Sequence, residues 1–96
     1  MKNLLFEWDE NKNLSNQKKH NVSFEEAKTV FFDEKARLIA DPDHSNGEDR
    51  FVIMGISSTL RVLVVVHCFR QNDEIIRIIS ARKATRNEQK YHNRRK

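Results

Sequence analysis

The C-terminal part of the sequence carries the residues best suited to chemistry, in the run IIRIISARKATRNEQKYHNRR at positions 75–95. Arg77 stands among β-branched isoleucines, and a buried guanidinium needs partners that a small domain seldom supplies. Its planar fork of N–H donors matches phosphate oxygens. Residues 82–96 continue with seven Lys or Arg and one acid, Glu88. This pattern indicates an arginine-lined sheet edge that leads into a cationic segment, whose expected partner is RNA or an acidic protein.

The charge of the chain is unevenly distributed. The net charge is +4, but residues 1–49 carry −4, residues 50–81 carry +2 and residues 82–96 carry +6. This asymmetry favours a polyanionic partner for the C-terminal part. A solvated tail that serves only solubility would have the same charge.

Cleavage of RNA by its own 2′-hydroxyl needs a base, donors for the charge that develops on the phosphorus centre, and an acid for the leaving 5′-oxygen. Arginines can supply the electrostatic part without a metal ion. His67, His44 or Glu48 are candidates for the base or the acid, and Tyr91 is a further donor if the last helix folds back. The predicted catalytic residues are Glu48, Arg50, His67, Arg77 and Arg82, and the predicted RNA contacts are Arg61, Arg70, Lys83 and Arg86.

Two strand registers are compatible with these assignments. The first assumes that Ser58-Thr59 is a two-residue turn and that the following loop, near residues 70–73, has an odd length. Arg50, His67 and Arg77 then form one row across three strands. If that loop has an even length, Ser80 and Arg82 join the face of Arg61 and His67 instead. A slip of one residue exchanges the two faces, so both arrangements stay open. A structural role for His67 on an apolar strand, and a simple Glu48–Arg50 ion pair, are the competing interpretations.

The order of predicted elements is β-α-α-β-β-β-β-α, an α+β fold whose antiparallel sheet has its helices packed on one face. Asp9 is a predicted N-cap, Asn21 is a predicted left-handed helix end, and Ser23 with Glu26 forms a capping box. A second capping box, Thr85 with Glu88, opens the last helix. The predicted strands are 4–8, 36–40, 50–57, 60–69 and 74–81, and the predicted helices are 9–19, 23–31 and 85–93, with one long loop at 41–49.

Length and composition narrow the class of protein. Ninety-six residues predict a single domain, 1–96, with one modest core. The single cysteine, Cys68, rules out an internal disulfide and is expected to be a buried structural thiol. No spacing of His, Cys or acids matches a standard metal site, so neither a metal nor a cofactor is expected. No apolar run approaches membrane-spanning length and no signal peptide is evident, so a cytoplasmic protein is expected.

Four segments in order along the chain match a known pattern: FEWD at 6–9, KHNVSFEEA at 19–27, HS at 44–45 with EDRF at 48–51, and IRIISARKA at 76–84. Together they resemble the BrnT toxins of bacterial type II toxin–antitoxin modules. The departures are small: Asn21 stands where the pattern usually has glycine, and Glu10 stands where it often has proline. Neither position falls among the predicted site residues.

The resemblance implies a RelE-like fold and an endoribonuclease of the mRNA interferase type that inhibits translation. It also implies neutralisation by a BrnA-type antitoxin with a ribbon-helix-helix DNA-binding domain, the complex binding operator DNA. Motif positions carried over from the family are Glu48, Arg50, Arg77 and Arg82. The alternative is a non-catalytic module, a degenerate toxin, that binds RNA or antitoxin. A third reading is a structural subunit whose open sheet face is a protein interface.

Overall fold

The sheet and helices follow the predicted order along the chain. The computed structural model describes residues 4–39 and 50–93. The strands are β1 (Leu5–Glu7), β2 (Arg37–Ile39), β3 (Phe51–Ile56), β4 (Val62–Arg70) and β5 (Ile75–Lys83), and the helices are α1 (Glu10–His20), α2 (Phe24–Lys28) and α3 (Arg86–Asn93). A short 3-10 helix, Thr29–Phe32, continues α2.

The five strands form one sheet in the order β1-β5-β4-β3-β2. Strands β2 to β5 pair antiparallel, as the meander of short connections predicts. The prediction of a wholly antiparallel sheet is wrong, because β1 runs parallel to β5, with Phe6 beside Ile76. The two strands are far apart in sequence, and no hairpin turn fixes their relative direction.

Residues of β4 point alternately to two faces, and each face has its own apolar cluster. On the helical face, Leu63 and Val65 pack with α2 and its 3-10 extension through Phe24, Ala27 and Val30. On the opposite face, which we call the cleft face, an apolar cluster is formed by Val52, Met54, Val64 and Ala84. Strand β4 is thus covered on both faces, as its nearly continuous apolar sequence predicts.

The three helices do not share one face of the sheet, contrary to the prediction. Helix α1 lies along the edge of β5, where the buried Asn16 side chain hydrogen-bonds both the N–H and the carbonyl of Ala81. Helix α3 lies against the cleft face instead, because its Glu88 pairs with Arg82, which stands opposite Val64. The helical face is therefore left to α2 and the 3-10 helix.

The helix ends follow the local sequence signals. Asp9 caps α1 through the N–H of Asn11 at 2.8 Å, and Asn21 ends that helix in the left-handed conformation with φ of 59°. Ser23 caps α2 through the N–H of Glu26 at 3.0 Å. The Glu26 carboxylate, which the capping box predicts as the acceptor for the N–H of Ser23, forms an ion pair with Arg61 instead. Confirmation of these caps shows that the helix starts are encoded locally.

The last capping box forms in both directions. Thr85 Oγ1 accepts from the N–H of Glu88 at 3.2 Å, and Glu88 Oε1 accepts from the N–H of Thr85 at 2.8 Å. This reciprocal pair is the arrangement that the sequence Thr-x-x-Glu predicts. It fixes the start of α3 directly after β5.

Both central hairpins differ by one residue from the register that would align Arg50, His67 and Arg77, and the β4–β5 hairpin differs by two from the even-loop alternative. Ile56 pairs with Val62, and the N–H of Ser57 bonds the carbonyl of Arg61, so three residues form the turn instead of two. Leu60 closes that turn with φ of 66°, a left-handed position typical of three-residue hairpin loops. Between β4 and β5, a bulge after Val66 inserts Ile79 as an extra residue. These shifts decide which side chains share a face with Arg77.

Candidate active site

A cleft of roughly 570 Å³ opens on the cleft face near the β4–β5 hairpin. Its walls include Cys68, Phe69 and Ile79. They also include four cationic side chains, one each from α1, β4 and β5 and one from the residue before β3. The four cations are Lys12, Arg50, Arg70 and Arg77. We call this depression the cationic cleft.

The strand register brings these arginines together. Arg77 stands directly opposite Cys68 in β5 and β4. Arg50 immediately precedes Phe51, whose partner is His67, so extending the register by one residue places Arg50 beside Cys68 on the same face. Lys12 reaches the same cleft from α1, which lies at the sheet edge. The row across three strands is therefore Arg50–Cys68–Arg77.

Arg77 is oriented by a carboxylate on the neighbouring edge strand. Its Nη1 donates to Glu7 Oε2 at 2.7 Å, and both side chains are one-third exposed. Glu7 and Arg77 are also backbone partners in the parallel β1–β5 pair. A guanidinium has five N–H donors, so one bond to Glu7 can orient it while it also contacts a phosphate. The geometry suits an anion-binding arginine held in one orientation.

The prediction that His67 lies in the arginine row is wrong, and so is the alternative that places it with Arg82. His67 pairs with Ile78 and points to the helical face, where it is 1% exposed. Phe31 packs edge-on against its ring at 4.8 Å. Burial lowers the pKa of His67 and outweighs the opposing contact with the Val65 carbonyl. His67 therefore acts as a neutral core residue that has no direct access to the cleft.

Arg82 lies on the cleft face, further along β5, in a two-pronged ion pair. Its Nη1 and Nη2 donate to the two carboxylate oxygens of Glu88 at 2.9 and 3.0 Å. These hydrogen bonds hold the pKa of Glu88 down at about 2. The pair fastens the first turn of α3 to β5. Arg82 is thus outside the wall of the cationic cleft, as are its neighbours Lys83 and Arg86.

Arg61 is held elsewhere, at the start of β4. Its guanidinium donates to both carboxylate oxygens of Glu26, and its Nη2 also donates to the carbonyl of Asn21 at 3.1 Å. This arrangement joins the β3–β4 hairpin to the α1–α2 junction. The structure therefore places the predicted RNA contact Arg61 in a structural ion pair away from the cationic cleft.

The comparison with protein families gives the chain its assignment. Residues 8–88 match the model described as "Ribonuclease toxin, BrnT, of type II toxin-antitoxin system". The chain belongs to the BrnT family. This membership makes it a ribonuclease toxin at the level of the family, with RNA as substrate and an antitoxin as partner. The resemblance seen in the sequence motifs is thereby confirmed.

The structure of a BrnT toxin from Brucella abortus, described as a ribonuclease toxin, has a similar fold. The two chains share 22% sequence identity and a TM-score of 0.66, over 88% of this chain and all of the Brucella chain. This similarity supports the mixed α+β architecture of a BrnT protein. The comparison with curated proteins found no match.

Several predicted residues of this BrnT chain lie apart from the cleft or outside the described residues. Glu48 and His44 belong to the undescribed segment 40–49. Tyr91 does fold back, and its ring lies 4.1 Å from the guanidinium carbon of Arg37. Of the nine predicted catalytic and RNA-contacting residues, the cleft wall includes Arg50, Arg70 and Arg77.

Sequence reasoning missed Lys12 in the wall of the BrnT cleft and Glu7, which lies outside the wall and accepts a hydrogen bond from Arg77. Lys12 is one of several polar residues on α1, and only the docking of that helix at the sheet edge brings it to the cleft. Glu7 would have been found from a parallel β1–β5 pairing, which no sequence signal indicated. Within residues 4–39 and 50–93, no three His, Cys, Asp or Glu side chains are grouped as metal ligands. In those same ranges, no helix is long and apolar enough to cross a membrane.

Proposed function

We propose that this BrnT-family chain is a metal-independent endoribonuclease that cleaves mRNA and inhibits translation. The observation that carries the proposal is the convergence of Lys12, Arg50, Arg70 and Arg77 in one cleft. Positive charge concentrated in a concave surface attracts a polyanion and stabilises charge that develops on a transferring phosphoryl group. Arginine forks match the geometry of phosphate oxygens.

In this proposal the scissile phosphate lies between Arg50 and Arg77, across the floor formed by Cys68. Glu7 keeps the Arg77 guanidinium in place through the 2.7 Å bond, so it is a positioning residue. Glu48, two positions before Arg50 in sequence, is our candidate for the base that takes the 2′-hydroxyl proton. Arg82, Lys83 and Arg86 continue the positive surface towards α3 and would contact the RNA backbone beyond the cleft.

We further propose the finer features that the family resemblance implies. These are a single RelE-like domain, action in the cytoplasm, and neutralisation by a BrnA-type antitoxin. That antitoxin carries a ribbon-helix-helix domain, through which the complex binds operator DNA. Membership in a type II toxin–antitoxin family supports the presence of an antitoxin partner.

The test compares the wild-type protein with Arg77→Gln on a defined single-stranded RNA in EDTA, and in a separate reaction with intact ribosomes in Mg²⁺. We expect wild-type products with 2′,3′-cyclic phosphate and 5′-hydroxyl ends, since the 2′-hydroxyl is the nucleophile. Loss of one charge-stabilising donor should lower the rate by about a hundredfold. Lys28→Gln is the matched control, because Lys28 lies on α2 beside Glu25 and outside the cleft wall.

Three results would contradict parts of this proposal. Cleavage that EDTA abolishes would show that a metal ion is required. Equal rates for wild type and a folded Arg77→Gln would move the active site away from the cationic cleft. Equal losses in Arg77→Gln and Lys28→Gln would indicate that only overall charge matters.

A second candidate function is RNA binding without cleavage. The observation that favours it is that the described residues lining the cleft include neither a histidine nor a carboxylate, the usual acid–base groups. The same assay separates the two, since a binding module would retain labelled RNA in a salt-dependent manner and release no product.

A further inference from the structure

A second pocket adjoins the cationic cleft at the same end of the sheet. Its volume is roughly 440 Å³, and it lies where the β4–β5 hairpin meets the start of β1. Its apolar walls come from strand residues, and its polar groups come from the hairpin loop. The main contributors are Leu5, Phe69 and Ile76 on the apolar side, with Asn72, Asp73 and Glu74 on the polar side.

Phe69 belongs to the walls of both depressions, so the two adjoin at the hairpin end of β4. Its ring turns to the helical face beside His67, and the cationic cleft lies on the other side of the same sheet end. The Phe69 side chain is 38% exposed, although it is a large aromatic residue. The ring is held edge-on by Phe51 at 5.3 Å and by His67 at 5.5 Å. An exposed ring in a fixed orientation can stack on a planar ligand with little loss of conformational entropy.

The charges of the two depressions have opposite signs. The cationic cleft attracts phosphate, whereas Asp73 and Glu74 in the second pocket repel it. The same carboxylates accept hydrogen bonds from the amino or imino groups of a neutral base, and the Asn72 amide can both donate and accept. A nucleotide consists of an anionic phosphate and a neutral, planar base. The two depressions therefore match its two parts.

We propose that the second pocket binds an unpaired nucleobase, stacked on Phe69, while the adjoining phosphate lies in the cationic cleft. This inference rests on the proposed function for the phosphate contact. It makes single-stranded RNA the substrate, because a base held in a duplex cannot be turned out to stack on a side chain without losing its pairing.

The first test is a binding measurement with strands that cannot be cleaved. Fluorescein-labelled DNA decamers lack the 2′-hydroxyl, and one carries bases while the other is abasic with the same number of phosphates. Anisotropy titration of the wild-type protein at fixed salt should give about tenfold tighter binding for the base-bearing strand.

Variants of Phe69 then assign the effect to the ring. Phe69→Leu should bind the base-bearing strand about tenfold more weakly and the abasic strand unchanged, and Phe69→Trp should restore binding. Phe32→Leu is the matched control, since Phe32 is 63% exposed and outside both pocket walls. Circular dichroism checks the folding of each variant. The strand comparison needs only the wild-type protein, so it stands even if Phe69→Leu does not fold.

Equal affinity of the wild-type protein for base-bearing and abasic strands would overturn the base pocket and leave the cleft as the phosphate site. A folded Phe69→Leu with unchanged preference for the base-bearing strand would show that Phe69 does not stack on the base. If neither strand bound at all, the phosphate contact in the cationic cleft would fail together with this inference, and the RNA cleavage assay would then decide the proposed function separately.

Discussion

The ion pair between Glu26 and Arg61 should make a large and pH-dependent contribution to stability. One oxygen of Glu26 accepts from the hydroxyls of Ser57 and Thr59 and from Arg61 Nε, and the other accepts from Arg61 Nη2. These contacts join α2 to the β3–β4 hairpin. The change Glu26→Gln keeps the shape of the side chain and removes its charge, so it isolates the electrostatic part of the contact.

The magnitude follows from the pKa of Glu26, which is lowered from 4.5 to about 2, chiefly by the hydrogen bond from Arg61. A lowering of this size corresponds to about 3 kcal/mol at neutral pH. Solvent screening is limited, because the Glu26 side chain is 12% exposed and that of Arg61 is 29% exposed. Since glutamine can still accept from the two hydroxyls, we expect Glu26→Gln to cost about 2–3 kcal/mol at pH 7.

The sign of the pH dependence is fixed by the direction of the shift. The folded state prefers the carboxylate, so the contribution is fully present above pH 4.5 and is lost as the pH falls towards 2. The difference in unfolding free energy between wild type and Glu26→Gln should therefore shrink by about 1 kcal/mol between pH 7 and pH 3.5. Urea unfolding followed by circular dichroism at these two values measures the difference.

Glu25→Gln is the control on the same helix. Glu25 is 65% exposed and 3.5 Å from Lys28, so its loss should cost less than about 1 kcal/mol at either pH. A Glu26→Gln cost that stays the same at pH 7 and pH 3.5 would attribute the effect to packing. A cost no larger than that of Glu25→Gln would refute the ion pair as a main tie of the fold.

Two further predictions concern the cleft and the buried histidine. Lys12→Ala should reduce the slope of the log of the RNA-binding constant against the log of the salt concentration by about 0.7 for single-stranded RNA. Lys18→Ala, at an exposed residue outside the cleft wall, should leave the slope unchanged. An equal change in both variants would show that Lys12 makes no phosphate contact of its own. Because burial lowers the pKa of His67 below 6.5, the unfolded state takes up its proton first, and stability should fall as the pH drops below 6.5. His67→Phe should lose about 1 kcal/mol less than wild type between pH 7.5 and 5.5 in the same unfolding assay, and an equal loss would place the histidine in contact with solvent.

Features encoded by neighbouring residues could be predicted from the sequence, and features set by distant contacts could not. The caps at Asp9, Ser23 and Thr85 need only residues within one helical turn, and all three form. Helix α1 shows the opposite case. Its main apolar residue, Leu14, is 54% exposed, while Asn16 is buried and hydrogen-bonds the backbone of β5. A polar contact to a distant strand leaves no apolar periodicity by which to recognise it.

The cleft shows how a wrong register can still bring the right arginines together. Both hairpins next to β4 differ by one residue from the register that predicted the row, and both shifts go in the same direction along β4. Arg50 and Arg77, on the two outer strands, therefore keep their relation to each other, and only the residue between them changes. Cys68 replaces His67 in the row, and the histidine turns to the opposite face. The position of Arg50 relative to Arg77 changes only if the two registers shift by different amounts. The position of His67 relative to either arginine changes with any single shift. The arginine pair held here because the two shifts were equal, and the base of this proposed ribonuclease has to be sought beyond His67.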